Sequence, residues 1–163
     1  MWREEPNEIG AKASARKIIK YFGITTPEQI CVEDIAMALG VYVHEAPLKG
    51  AEARLTRKGK KGIIRLNENI SFRKKRFAVS HELGHWERHA EISQMFYCTS
   101  EDLNGYNNSI PEIEANSFAG ELLIPSMFVG DEISRNDPDI SLIRGLRETF
   151  NTSLMVAAIR FVE

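Results

Sequence analysis

Residues 71–90 run for twenty positions without a proline and place Val79, Leu83 and Trp86 at i, i+4 and i+7, the spacing of one helix face that must be buried. Whatever fold the chain adopts has to cover that helix. With 163 residues, one domain of this size buries roughly two thirds of the surface its unfolded chain exposes. A hydrophobic share of 43% and a charged share of 27% exclude a disordered or fibrous chain, and one globular domain over residues 1–163 is expected.

The flanking segments set the fold class. Ala11, Ala15, Ile18, Ile19 and Phe22 have helical spacing and Gly23 stops it, which predicts a helix over 11–22. Thr26-Pro27-Glu28-Gln29 offers a capping box with proline at the first helical position, and predicts a helix over 27–39 closed by Gly40. Residues 41–44 read as a strand, and two more strands flank the turn Lys58-Gly59-Lys60, the second at 63–66. After the long helix comes a loop rich in Asn, Ser and Gly. Pro111 opens a helix that ends near Pro125, and closing helices are expected at 142–150 and 154–161. The class is α+β: mostly helical, with a small three-stranded antiparallel sheet before the long helix.

His81-Glu82-Leu83-Gly84-His85 is an H-E-x-x-H sequence inside the helix that apolar periodicity predicts independently. Residues four apart on a helix differ by about 40° in azimuth and 6 Å in rise, so both imidazoles can reach one metal ion. They lie on a different face from Val79, Leu83 and Trp86, as ligands in a cleft should. Glu82 cannot join them on the ion but can reach a water bound there and take its proton, the work of a general base.

A catalytic zinc needs a third protein ligand and one open position. His89 lies about 12 Å along the helix from His81, too far to share an ion with it, and reads as a supporting or surface residue. Glu112 is the better candidate. On a wheel at about 100° per residue it falls within the apolar arc of Ala115, Phe118, Ala119, Leu122 and Leu123, while Glu114, Ser117 and Glu121 occupy the polar side. An inward carboxylate needs a charged partner, and a divalent ion suits. Asn116, at i+4 from Glu112, can hydrogen-bond a ligating group and fix its orientation.

Phe77-Ala78-Val79-Ser80-His81-Glu82-Leu83-Gly84-His85, followed by the block from Glu112 through Asn116 and Phe118 to Pro125, resembles the ImmA/IrrE metallopeptidases, a zincin-like family. The likeness extends over nearly the whole chain. It implies that Glu112 is the third ligand beside His81 and His85, that Glu82 is the general base, and that the ion is zinc or manganese. It also implies a protein substrate, a helix-turn-helix repressor whose cleavage switches on mobile-element or stress genes. Longer relatives carry a further sensor domain, and regulation by such a domain is not expected from the sequence to Glu163. For the donor that stabilises the developing oxyanion, Tyr97, Tyr106, His44 and Arg144 stay open.

Charge is unevenly spread. Ten basic residues against the single acid Glu68 lie between Arg54 and Arg76, although net charge is only −2. A patch including Arg73, Lys74, Lys75 and Arg76 is expected to meet an acidic segment of the substrate. The N-terminus lacks the apolar core of a signal peptide and no stretch approaches a membrane span, so a cytosolic protein without membrane partners is expected, with Cys31 and Cys98 as buried thiols. Two other classes compete. A non-catalytic metal-binding regulatory protein would keep the ion without turnover. A helix-turn-helix DNA-binding module could use the first two helices, but the second carries Glu28, Glu33 and Asp34 and neither Lys nor Arg, so no direct nucleic-acid contact is expected.

Overall fold

Ser71 caps the long helix by accepting a hydrogen bond from the Lys74 amide, and α3 (Phe72–Arg88) then runs to His89. The computed structural model describes residues 5–105, 108–135, 137 and 139–162, residue 132 without its side chain. Every residue of α3 from Arg76 to Trp86 is buried, so one apolar face understates the enclosure. A sheet covers one side of α3 and a second long helix, α5 (Ile110–Leu123), packs along it elsewhere. The histidine pair, expected in a cleft, is therefore inside the protein.

The sheet has four strands, β1 (Val41–Ala46), β2 (Ala53–Lys58), β3 (Lys61–Asn67) and β4 (Met95–Cys98), in the order β1-β3-β2-β4. It is mixed, not three-stranded and antiparallel. β2 and β3 form the expected hairpin, with Lys58 opposite Lys61 and Gly59 at φ 59° in the turn. β1, however, pairs with β3 in parallel. The reason is the 47–52 connection, which passes the end of β3. There the Asn67 side chain donates to the carbonyls of Leu48 and Ala51, and the Asn67 amide donates to Glu52. β4, read from sequence as part of a loop, pairs antiparallel with β2 as an edge strand. Its four residues are too few to show a period, and the pairing with β2 decides their conformation.

At the N-terminal end, α1 (Glu8–Tyr21) is capped by the Asn7 side chain, which accepts from the Gly10 amide at 2.8 Å. It buries Ala11, Ala15, Ile18 and Ile19 and packs against α5. The expected helix over 27–39 is broken into a 3₁₀ turn (Pro27–Gln29) and α2 (Val32–Ala38). The Ile30 carbonyl, which a continuous helix would use internally, accepts from buried Arg76 at 3.0 Å. A seven-residue α2 with Val32, Ile35 and Ala36 buried does not present a recognition helix. Two helices went unforeseen, the short α4 (Ser100–Leu103) and α6 (Ser126–Arg135). The closing pair is α7 (Ile140–Thr149) and α8 (Leu154–Val162). Arg160 of α8 donates to the Ile124 carbonyl at 2.9 Å and pairs with fully buried Glu121. Glu121 thus points inward, not to the polar side its wheel position suggested. No described helix is long and apolar enough to cross a membrane.

α3 and α5 approach closely at Gly84. A Cβ there would lie 2.9 Å from the Ala115 Cα and 3.2 Å from its carbonyl oxygen, so backbone would have to move. Gly84→Ala should cost about 1–3 kcal/mol in urea unfolding by overpacking. Gly120→Ala, where nothing lies within 4 Å, serves as control and should be neutral or stabilise by up to about 1 kcal/mol. Equal effects of the two would remove the close-packing account.

Candidate metal centre

The contact at Gly84 brings the first turn of α5 alongside the middle of α3. Glu112, helped into that turn by Pro111, points at both histidines: Oε2 lies 3.0 Å from His81 Nε2 and Oε1 lies 3.2 Å from His85 Nε2. The two imidazole Nε2 atoms are 3.2 Å apart. Among the described residues, these three form a group that can hold a metal ion, and all are buried.

Hydrogen bonds behind the rings decide what faces forward. Asn116 Nδ2 donates to the Asp102 carbonyl at 2.9 Å, so its Oδ1 is free to accept from His81 Nδ1, also at 2.9 Å. His81 is left with a lone pair on Nε2. Burial pushes the His85 imidazole down to about 4, more strongly than the Glu112 carboxylate raises it, so His85 is neutral at pH 7. In the metal-free site burial raises Glu112, but hydrogen bonds and charge from His81 and His85, supplied when their Nε2 atoms carry protons, outweigh it and hold the carboxylate well below its usual range, so a cation that displaces those protons meets an ionised carboxylate. With both Nε2 atoms bare, three electron-rich atoms converge at 3.0–3.2 Å. Such a triangle is repulsive without a cation at its centre, and tetrahedral zinc with bonds of about 2.0–2.1 Å sets its ligands about 3.3 Å apart. The donor set fits a divalent ion.

Glu82 is fully buried, and neither carboxylate oxygen finds a hydrogen-bond partner among the described residues. Burial, then the charges of Glu112 and Asp102, raise its pKa well above the ordinary carboxylate value. An unpartnered buried carboxylate costs several kcal/mol in principle and persists where function requires it.

A family model for Peptidase_M78, the IrrE N-terminal-like domain, matches residues 36–162. The chain belongs to this family. Its members are peptidase-type hydrolases, in accord with the ImmA/IrrE resemblance of the two motif blocks. No curated protein matches the chain significantly. Among solved structures it is similar to a "Mycobacterium tuberculosis transcriptional regulator", at 15% identity and a TM-score of 0.62. The match covers 91% of this chain and 44% of that one, so the chain spans less than half of that neighbour, and the likeness concerns the fold.

Around the Peptidase_M78 motifs the structure adds residues whose part was not legible, and it places His89, read from sequence as a supporting or surface residue, behind His85. Phe96 of β4 stacks on the His85 ring, with centroids 4.1 Å apart and planes at 13°. His89 is buried with its Nδ1 2.9 Å from His85 Nδ1, and its Nε2 is 3.2 Å from Glu114 Oε2. Glu114, assigned from the wheel to the polar side, is buried and also paired with Arg88, and Ser117 is buried with its hydroxyl donating to Glu8. The i+4 step from His85 to His89 was the available signal for this second layer.

Of the oxyanion candidates, Tyr97 follows Phe96 in β4 and so points from the opposite face, beneath the Arg54 guanidinium at 4.6 Å. His44 sits on β1, the far edge of the sheet, and Arg144 is exposed on α7; neither bonds to the metal-site residues among those described. Tyr106 lies outside the described residues. The basic patch is also different from expectation. Arg73 pairs with Glu148 at 2.6 Å, Lys74 with Glu52 and Lys75 with Glu45, each at 2.7 Å, and Arg76 is buried. The charges of Arg73, Lys74 and Lys75 are answered within the chain by acids outside the basic segment, and Arg76 donates to the Ile30 carbonyl, so these four do not form a free docking surface.

The raised pKa of Glu82 gives a stability prediction for the metal-free protein. A carboxylate whose folded pKa is raised is tolerated below its unfolded value of about 4.5 and destabilises the fold as pH rises above it. Glu82→Gln should therefore match wild type in urea unfolding near pH 4.5 and become the more stable at higher pH, gaining up to about 1.4 kcal/mol per pH unit until the folded pKa is reached. A gain independent of pH would contradict the assignment.

Proposed function

We propose that the chain is a cytosolic zinc-dependent endopeptidase, with manganese as a competent substitute, that cleaves a helix-turn-helix repressor. The observation that carries the reading is the convergence of His81 Nε2, His85 Nε2 and Glu112 on one point beside the unpartnered carboxylate of Glu82. His81, His85 and Glu112 would hold the ion, with Asn116 fixing the His81 ring. The ion supplies Lewis acidity, polarising a peptide carbonyl and lowering the pKa of water towards about 7.

Glu82 does the proton work. Its raised pKa makes it a stronger base than an exposed carboxylate, so it can take the proton of the attacking water and deliver it to the leaving amine. Burial on α3 keeps bulk water from solvating that carboxylate. Next to Asn116 lies a cavity of about 190 Å³ lined mainly by apolar side chains, among them Phe77, Leu103, Ile113, Val156 and Ile159. It suits an apolar substrate residue beside the scissile bond.

Incubation of the protein with the repressor encoded beside its gene, with and without chelator, tests the reading. His81→Ala, His85→Ala and Glu112→Ala should lose metal and cleavage together. Glu82→Gln should keep about one metal per chain and lose cleavage by about 10²–10⁴-fold. Loss of metal in Glu82→Gln would remove its assigned role, and chelator-resistant cleavage would sink the metallopeptidase reading.

A further inference from the structure

Resting on that metal-centre reading, we infer that His89 and Glu114 are positioning residues that fix the tautomer of His85. Glu114 is held from several sides. Its Oε1 accepts from the Asn7 amide at 2.8 Å, and its Oε2 accepts from Arg88 Nε and Nη2 at 3.1 and 3.0 Å. A carboxylate held by these donors has only lone pairs to offer, so His89 Nε2, 3.2 Å from Oε2, is the donor of that contact. With its proton on Nε2, neutral His89 presents a bare Nδ1.

His85 Nδ1 faces that atom at 2.9 Å. One of the two nitrogens must carry the proton, and His89 has already placed its own elsewhere. His85 is therefore protonated on Nδ1, and its Nε2 keeps the lone pair that points at His81 and Glu112. Phe96 stacked at 4.1 Å holds the plane of the His85 ring but is indifferent to which nitrogen carries hydrogen. The line Glu114–His89–His85 supplies that choice. Reversing it would put a proton on His85 Nε2, the atom a metal ion needs bare.

The line also reaches across the fold. Asn7 is the N-cap of α1, and Arg88 sits in the last turn of α3, so the elements that anchor Glu114 are distinct from the α5 turn carrying Glu112. A buried side chain that merely filled space would not need an oriented partner at both ring nitrogens.

Ring-nitrogen NMR shifts and through-hydrogen-bond coupling in the zinc-loaded full chain test this directly. The expected spectrum has neutral His89 protonated on Nε2, with its bare Nδ1 coupled to a protonated His85 Nδ1; His89 protonated on Nδ1 overturns the inference. Zinc affinity by chelator competition gives an independent arm. His89→Gln, whose amide oxygen can accept from His85, should stay close to wild type, whereas His89→Leu should bind about 10–100-fold more weakly. If the Leu and Gln variants bind zinc equally well, His89 is only packing and the proposal fails. Should His89→Leu not fold, the wild-type spectrum alone decides. A wild-type chain that takes up no zinc fails the metal-centre reading itself, whereas tight zinc binding with the wrong tautomer fails only this inference.

Discussion

The distance between α3 and α5 at Gly84 is the constraint on which the rest of the centre depends. Two imidazoles one turn apart supply only one side of an ion's coordination, and the third donor must come from another element. Gly84 lets the Ala115 backbone approach to a separation that a single methyl group would forbid. At that separation Glu112, three residues before Ala115, comes within 3.2 Å of both histidines. A Cβ at this glycine would push against the Ala115 backbone, on the helix that carries Glu112.

Enclosure then sets the electrostatics. Four ionisable side chains, His81, Glu82, His85 and Glu112, lie in one buried region covered by the sheet and by α5. Burial alone disfavours every charge among them. The chain answers with oriented hydrogen bonds behind the rings, His81 donating to Asn116 and His85 to His89. Glu82 is left without such an answer, and its raised pKa records the cost. A group destabilised in this way is suited to accept a proton when one is presented.

What the sequence made legible follows from how local each signal is. The H-E-x-x-H turn, the 3.6-residue apolar repeat of α3 and the inward position of Glu112 are properties of single helices, and each can be read along a few turns. The parallel pairing of β1 with β3 depends on Asn67 holding the 47–52 connection, a contact between segments with no periodic mark. β4 owes its conformation to β2. Glu114 and Glu121 looked solvent-facing because a wheel orders positions around one axis but does not say how much of the circumference is covered. α5 is packed by α1 as well as α3, and Arg88 and Arg160 reach the two carboxylates inside. Three charges of the apparent basic patch are answered for a related reason: Glu45, Glu52 and Glu148, which pair with Lys75, Lys74 and Arg73, lie outside the segment in which charge was counted.

A crystal structure of the zinc-loaded protein with anomalous diffraction at the zinc edge would locate the ion. One strong anomalous peak is expected, bonded at about 2.0–2.2 Å to His81 Nε2, His85 Nε2 and a Glu112 carboxylate oxygen, with a water within hydrogen-bond reach of Glu82. Zinc bound instead through His89 or Glu114, or the absence of any peak among these residues, would contradict it.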